Sequence, residues 1–373
     1  MESFRYVVSD CFYFEAMTRV LAVSTVLPPH RYSQAEITDE LARWLPPGTD
    51  PGLLRRVHSS AKVDARHLAL PLDHYGRLGG FGRANDAYLE VASELGVRAV
   101  ELALAEAGLP PEEVDLVLST SVTGLATPSL DARVAAAVGL RPDVKRLPLF
   151  GLGCAGGAAG VARVHDYLVG RPRDVALLLS TELCSLTLQP SDTSMANLVA
   201  GALFGDGAGA LLAAGREHPL HREDRRAGSG PIVVAGRSRL YPGTERLLGW
   251  DIGEWGFRLV LGSDLPDVIR LHVGEEIASF LAAHDLKPPD VAAWVCHPGG
   301  PKVLDVLGDV LELPDDAFAL SRRSLARAGN LSSASVLHVL RDTLDAGPPE
   351  PGSPGLMLAF GPGFSSELVL LRW

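Results

Sequence analysis

One motif occurs twice in this chain. Leu-Ala-Glu-Ala-Gly-Leu109-Pro-Pro-Glu-Glu-Val114-Asp-Leu-Val-Leu-Ser-Thr returns as Leu-Ala-Ala-His-Asp-Leu286-Lys-Pro-Pro-Asp-Val291-Ala-Ala-Trp-Val-Cys-His, displaced by 177 positions in a chain of 373. Each copy reads as a helix end, a proline-rich connection and a buried strand. A second echo falls 176 positions apart. Cys154 opens a run of small residues leading into Val161-Ala-Arg-Val-His-Asp-Tyr-Leu, and Asn330 opens another leading into Val336-Leu-His-Val-Leu-Arg-Asp-Thr-Leu. Both segments have helical periodicity, and a strand pattern follows each, Asp174-Val-Ala-Leu-Leu-Leu-Ser-Thr and Gly355-Leu-Met-Leu-Ala-Phe. The pattern predicts two α/β halves related by duplication. Met17 opens a β-branched strand pattern, so the fold is expected to begin there. Residues 1–16 are then an extension, or reflect an upstream start codon. The join is expected in the charged, glycine-containing stretch 215–231, and the chain is divided into halves of 17–225 and 226–373.

Composition narrows the function classes. With 47% hydrophobic residues the chain can fill a sizeable core. Its 45 acidic against 34 basic residues leave a net charge of −11, and no Lys/Arg block is dense enough to track a phosphate backbone, so nucleic acid is not an expected partner. No apolar run reaches the roughly 20 residues that span a bilayer, and no secretory leader pattern is present, which points to the cytoplasm. The cysteines Cys11, Cys154, Cys184 and Cys296 show neither C-x-x-C nor zinc-ligand spacing and read as free thiols.

Three short stretches each present one reactive side chain among small residues: Gly-Leu-Gly-Cys154-Ala-Gly-Gly, Cys-His297-Pro-Gly-Gly-Pro and Gly-Asn330-Leu-Ser-Ser-Ala-Ser. A thiol can accept an acyl group, while an imidazole and an amide can donate two hydrogen bonds to one enolate or oxyanion oxygen. The duplication would bring the Cys154 and Asn330 helix starts toward one centre, with His297 lining it from the end of the second repeated strand. A helix N-terminus and a nearby imidazole are both expected to lower the Cys154 pKa. Gly151, Gly153 and Gly156 also match Gly-x-Gly-x-x-Gly, but mid-chain and with the acid at the end of the next strand, Glu182, 26 residues beyond Gly156, so no dinucleotide is expected. Asn330-Leu-Ser matches a glycosylation acceptor, which in a cytoplasmic chain is accidental.

These residues resemble the type III polyketide synthases, the chalcone- and stilbene-synthase-like enzymes. The likeness covers residues 17–373 and rests on Gly-Cys154-Ala-Gly-Gly, Leu-Phe204-Gly-Asp-Gly-Ala, His297-Pro-Gly-Gly-Pro-Lys-Val-Leu-Asp, Gly-Asn330-Leu-Ser-Ser-Ala and Phe360-Gly-Pro-Gly-Phe. The resemblance implies a duplicated, thiolase-like αβαβα fold and a homodimer. It implies an acyltransferase in which Cys154 is the nucleophile and His297 with Asn330 forms the decarboxylation and oxyanion pair. Phe204 would gate the passage between CoA tunnel and cavity, with Leu259 replacing the second aromatic of that gate. Cys184, Thr187 and Thr127 would line the cavity, Thr127 reaching across the dimer interface, and Trp250 would narrow it. Gly361, Pro362 and Gly363 form the family's terminal loop, and Arg55, Arg56 and Lys62 fall near its CoA-binding helix. No metal or cofactor is implied, because the CoA thioesters are substrates.

On this resemblance an acyl-CoA starter loads onto Cys154 and malonyl-CoA extends it by repeated decarboxylative condensation, followed by cyclisation. The variants Gly-Trp250-Asp-Ile-Gly, Ala-Thr127-Pro-Ser-Leu-Asp and Glu-Leu-Cys184-Ser-Leu-Thr187 most resemble bacterial synthases of alkylresorcinols, alkylresorcylic acids and alkylpyrones, which implies a long fatty acyl starter. The alternative is a 1,3,6,8-tetrahydroxynaphthalene-type synthase primed by malonyl-CoA alone. A chain-initiating ketoacyl-ACP synthase would show His-Gln-Ala-Asn where this chain has His297-Pro-Gly-Gly. A non-catalytic thiolase-fold protein would lack the Cys, His or Asn.

Overall fold

The computed structural model describes residues 17–46, 50–190, 192–222 and 230–373. Cys11, the segment 1–16 and the expected division between 225 and 226 lie outside the described residues. The strands, in chain order, are β1 (Thr18–Val26), β2 (His30–Ser33), β3 (Ala65–Leu68), β4 (Leu116–Thr120), β5 (Lys145–Leu149), β6 (Val175–Leu183), β7 (Asp206–Gly215), β8 (Ile232–Leu240), β9 (Leu248–Gly253), β10 (Gly256–Leu261), β11 (Ala293–Cys296), β12 (Pro354–Gly361) and β13 (Ser365–Arg372).

Nine of them form one sheet in the order β11-β12-β13-β8-β1-β7-β6-β4-β5. Read outward from the β1–β8 join, four strands on one side repeat the four on the other, and β5 adds a fifth to the first half alone. β7 and β13 pair antiparallel with β1 and β8, β6 and β12 pair antiparallel with β7 and β13, and β4 and β11 pair parallel with β6 and β12. The halves join where β1 meets β8, at Thr18–Val233 and Arg19–Ile232. The repeat extends to single hydrogen bonds. Gly108 (φ 64°), which caps the helix Phe81–Ala107, and Asp285 (φ 57°), in the turn just past the helix Gly274–Ala282, are both in the left-handed region, and the next amides, Leu109 and Leu286, each donate to the carbonyl five residues back at 3.0 Å. Short 3-10 turns, Pro111–Glu113 and Pro288–Asp290, then lead into β4 and β11.

Alternation along the strands sorts the core into layers. On β6, Ala176 and Leu178 face the inner core, while Leu177 and Leu179 face an outer one; on β12, Met357 and Ala359 face inward, while Leu356 and Leu358 face outward. Helices Gly156–Gly170 and Ser335–Asp345 fill the inner layer between the two halves, with Val161, Leu168, Val336 and Leu340 in one cluster. Phe81–Ala107 covers the first half from outside, and Gly274–Ala282 with Pro301–Val310 covers the second. The five layers are those of the predicted thiolase-like αβαβα fold. Close approach of the inner helices depends on glycine: a Cβ at Gly157 would stand 2.2 Å from the Ser333 carbonyl oxygen.

Candidate active site

Cys154 lies in a 3-10 turn, Gly153–Ala155, that runs directly into the inner helix Gly156–Gly170. Gly153 has φ +51°, and a Cβ there would meet the Pro362 ring at 2.5 Å, so the terminal loop packs on the turn that presents the thiol. The thiol donates to the Ser332 hydroxyl at 3.7 Å. Burial pushes the Cys154 thiol up to about 12, with the nearby Glu182 carboxylate adding to the rise and hydrogen bonds from Ser332 and Asn330 opposing it. This corrects the expected lowering. The short turn at the helix start cannot offset the loss of water around a charged sulfur.

Asn330 enters the same centre from the second half. Its backbone forms a parallel bridge with Phe204: the Asn330 amide donates to the Leu203 carbonyl at 2.7 Å, and the Gly205 amide donates to the Asn330 carbonyl at 3.0 Å. Its side-chain Oδ1 accepts from the Ser332 amide at 2.8 Å, which orients the Nδ2 donor toward Gly299, whose carbonyl it meets at 3.3 Å. The helix Met195–Leu203 ends at Phe204, whose carbonyl accepts from Nη1 of the fully buried Arg66 at 2.8 Å. The aromatic side chain and the amide are thus delivered as one unit.

His297 follows β11, and its amide donates to the Leu358 carbonyl at 2.9 Å. The ring is 2% exposed, and neither nitrogen has a hydrogen-bond partner among the described residues. Burial lowers its pKa to about 3, so the ring is neutral and carries one free donor and one free acceptor.

Two cavities meet at Cys154, sharing Phe204, Leu248 and Leu259 as their common wall. The first, about 60 Å³, holds His297 and Asn330 among apolar side chains that include Leu261, Ile269 and Val303. The second, about 20 Å³, is lined by Cys184, Trp250, Ser332 and Pro362. Trp250 and Leu259 are cross-strand partners in the β9–β10 hairpin. Sequence reasoning therefore assembled Cys154, His297, Asn330, Phe204, Leu259, Cys184, Trp250 and Pro362 around one point.

Other sequence-predicted residues lie elsewhere. Thr187 is buried and donates to the Cys184 carbonyl at 2.7 Å, supporting the wall from behind. Thr127 lines a separate surface cavity of about 470 Å³, together with Leu125, Arg146 and Phe150. Gly361 packs on Leu152 and Ala155, while Gly363 turns the chain at φ +135°. Arg55 and Arg56 stand on the exposed face of the helix Pro51–Ser60, 3.5 Å from Asp39 and Asp50 respectively, and Lys62 is exposed just beyond it.

Ser332 and Ser333 were missed as site residues, although the Asn-Leu-Ser-Ser run contained them. Ser333 donates to Glu182 at 2.5 Å, and the other Glu182 oxygen accepts from the Val122 amide at 3.0 Å and the Thr123 hydroxyl at 2.9 Å. This buried carboxylate bridges the two halves directly beneath the thiol.

Comparison with known proteins places these features in a family. The description "Chalcone and stilbene synthases, N-terminal domain" matches residues 13–216, and its C-terminal counterpart matches residues 232–373. A Streptomyces peucetius subsp. caesius protein named 1,3,6,8-tetrahydroxynaphthalene synthase is 57% identical over 357 residues, covering 95% of this chain and 93% of that protein. A Bacillus subtilis (strain 168) protein named putative chalcone synthase is 34% identical, covering 96% of this chain and 99% of that protein. The crystal structure of 1,3,6,8-tetrahydroxynaphthalene synthase from Streptomyces coelicolor A3(2) superposes with a TM-score of 0.88 at 30% identity, covering 95% of this chain and 99% of that one.

Proposed function

The chain belongs to the chalcone and stilbene synthase family of type III polyketide synthases, which are acyltransferases, and from that premise we propose that it uses malonyl-CoA both as primer and as extender. Repeated decarboxylative condensation then builds a pentaketide that closes to a polyhydroxylated naphthalene. The observation that carries this reading is the 57% identity, over nearly the full length of both chains, to a protein named 1,3,6,8-tetrahydroxynaphthalene synthase. The long fatty acyl starter expected from the motif variants gives way to it.

In this reading the neutral Cys154 thiol gives its proton to the neutral His297 imidazole as sulfur attacks the thioester carbonyl, and His297 passes that proton to the departing CoA sulfur, so that CoA leaves as a thiol and the imidazole is neutral again. The next malonyl-CoA loses carbon dioxide, and the electron pair of the broken bond becomes an enolate. Its oxygen accepts hydrogen bonds from His297 and from Nδ2 of Asn330, whose orientation the Ser332 amide fixes. The carbanion attacks the acyl-Cys154 carbonyl, and the tetrahedral intermediate expels the sulfur. Phe204 and Leu259 separate the loading cavity from the cavity walled by Trp250 and Cys184. Arg55, Arg56 and Lys62 receive the CoA phosphates, the loose surface ion pairs of Arg55 and Arg56 offering little resistance to exchange. A homodimer forms across the face that carries Thr127, where Leu125 and Phe150 are exposed beside the 470 Å³ cavity.

Mass spectrometry of products from the purified protein tests the proposal, with malonyl-CoA supplied alone and then beside acyl-CoA starters of graded length. A starter-independent aromatic pentaketide is expected. Products that form only with a long-chain starter, and carry its alkyl tail, would return the enzyme to the alkylresorcinol and alkylpyrone class.

A further inference from the structure

The β9–β10 hairpin that supplies Trp250 and Leu259 is a two-stranded ribbon separate from the main sheet. A two-stranded ribbon holds its position through contacts with what surrounds it. One of those contacts is a neutral amide from the other half of the molecule. Nε2 of Gln189 donates to the Trp255 carbonyl at 3.2 Å and to the Phe257 carbonyl at 3.1 Å, at the turn and first residues of β10. The same nitrogen lies 3.2 Å from the Thr187 carbonyl, behind the Cys184 wall.

Gln189 is itself held on both sides of its peptide. Its amide donates to Oδ1 of Asn197 at 3.3 Å, and its carbonyl accepts from Nδ2 of Asn197 at 2.9 Å. Asn197 belongs to the helix that ends at Phe204. Two further contacts run in parallel. Arg258 of β10 lies 3.3 Å from Asp192, and Phe257 packs edge-on against Phe81 at 5.5 Å while touching Trp250 at 5.9 Å.

We infer that Gln189 is a positioning residue that sets cavity depth by referencing the Trp250–Leu259 wall to the helix that carries Phe204. The inference rests on the proposed reading in one respect, that these side chains border the growing chain. Each condensation adds two carbons beside the thiol, and Trp250 and Leu259 line the second cavity that meets it there, so the placement of this wall determines how far extension proceeds before closure. Gln189 touches neither the thiol nor the His297/Asn330 pair among the described residues, so the decarboxylation chemistry does not depend on it.

The test compares Gln189→Glu and Gln189→Ala with the parent protein, reading malonyl-CoA decarboxylation, unfolding temperature and the ratio of full-length to truncated polyketides. Glutamate keeps the size of the side chain and removes both N–H donors, and its charge faces the two carbonyls. Both variants are expected to retain decarboxylation within about twofold and to shift the product ratio by about threefold or more, the scale of losing one or two modest hydrogen bonds. A Gln189→Glu protein that folds normally and keeps the parent product ratio overturns the inference. So does a loss of decarboxylation parallel to the loss of product, which would show general damage to the site. The comparison is internal to each product profile: a parent enzyme that makes something other than a naphthalene refutes the proposed function, while an unshifted variant refutes the role of Gln189.

Discussion

A helix terminus stabilises a neighbouring charge by about 1 kcal/mol, while burial of an ionisable side chain shifts its pKa by up to several units against the charged form. At Cys154 the second effect wins and raises the thiol, and at His297 burial alone lowers the imidazole. Burial therefore favours the neutral form of both groups, the thiol and the imidazole. The lowered imidazole has a consequence for stability. Unfolded, the ring binds a proton near its ordinary value of 6.5; folded, it does so only near 3. Its contribution is complete above the unfolded value and drains away as pH falls toward the folded one. Denaturation of His297→Gln beside the parent, at about pH 7 and about pH 5, checks this. The parent should lose on the order of 2 kcal/mol more than the variant over that interval; equal losses would mean that the ring is not buried neutral. The identities of the reactive residues were legible because thiol, imidazole and amide each sit among glycines and small residues. Their protonation was not, because burial depends on leucines and phenylalanines far away in the chain.

The two inner helices carry the active-site turns, and their spacing controls whether Cys154 and Asn330 meet. Gly157→Ala would place a methyl group 2.2 Å from the Ser333 carbonyl oxygen and 2.6 Å from Cγ1 of Val336. Backbone cannot rotate out of the way, so about 2–3 kcal/mol of stability should be lost. Decarboxylation should fall with it, because Ser333 adjoins the Ser332 that orients Asn330. Gly170→Ala, at the far end of the same helix with nothing within 4 Å, is the control and should change stability by less than about 1 kcal/mol. Chemical denaturation and a carbon dioxide release assay on both proteins decide the matter. These helices were legible through their spacing after Cys154 and Asn330. The grip of Gln189 on the β9–β10 hairpin was not, since its acceptors are backbone carbonyls and leave no mark in the side-chain pattern.

Duplication organises the whole molecule, and the mirrored strand order follows the 177-residue repeat down to the matching hydrogen bonds of Leu109 and Leu286. Each half brings part of the candidate site: Cys154 and Phe204 come from the first, His297, Asn330 and Trp250 from the second. Neither half holds a complete site. Product class lay beyond the motifs because it depends on how leucines, Trp250 and Phe204 close a cavity, a property of packing across both halves. The central claim is that malonyl-CoA supplies every carbon of the product. Carbon-13-labelled malonyl-CoA, given to the purified enzyme together with unlabelled acyl-CoA starters, measures this directly by product mass. Label in every ring carbon, with no unlabelled starter unit, is the expected result; a product retaining an unlabelled acyl group would contradict the account.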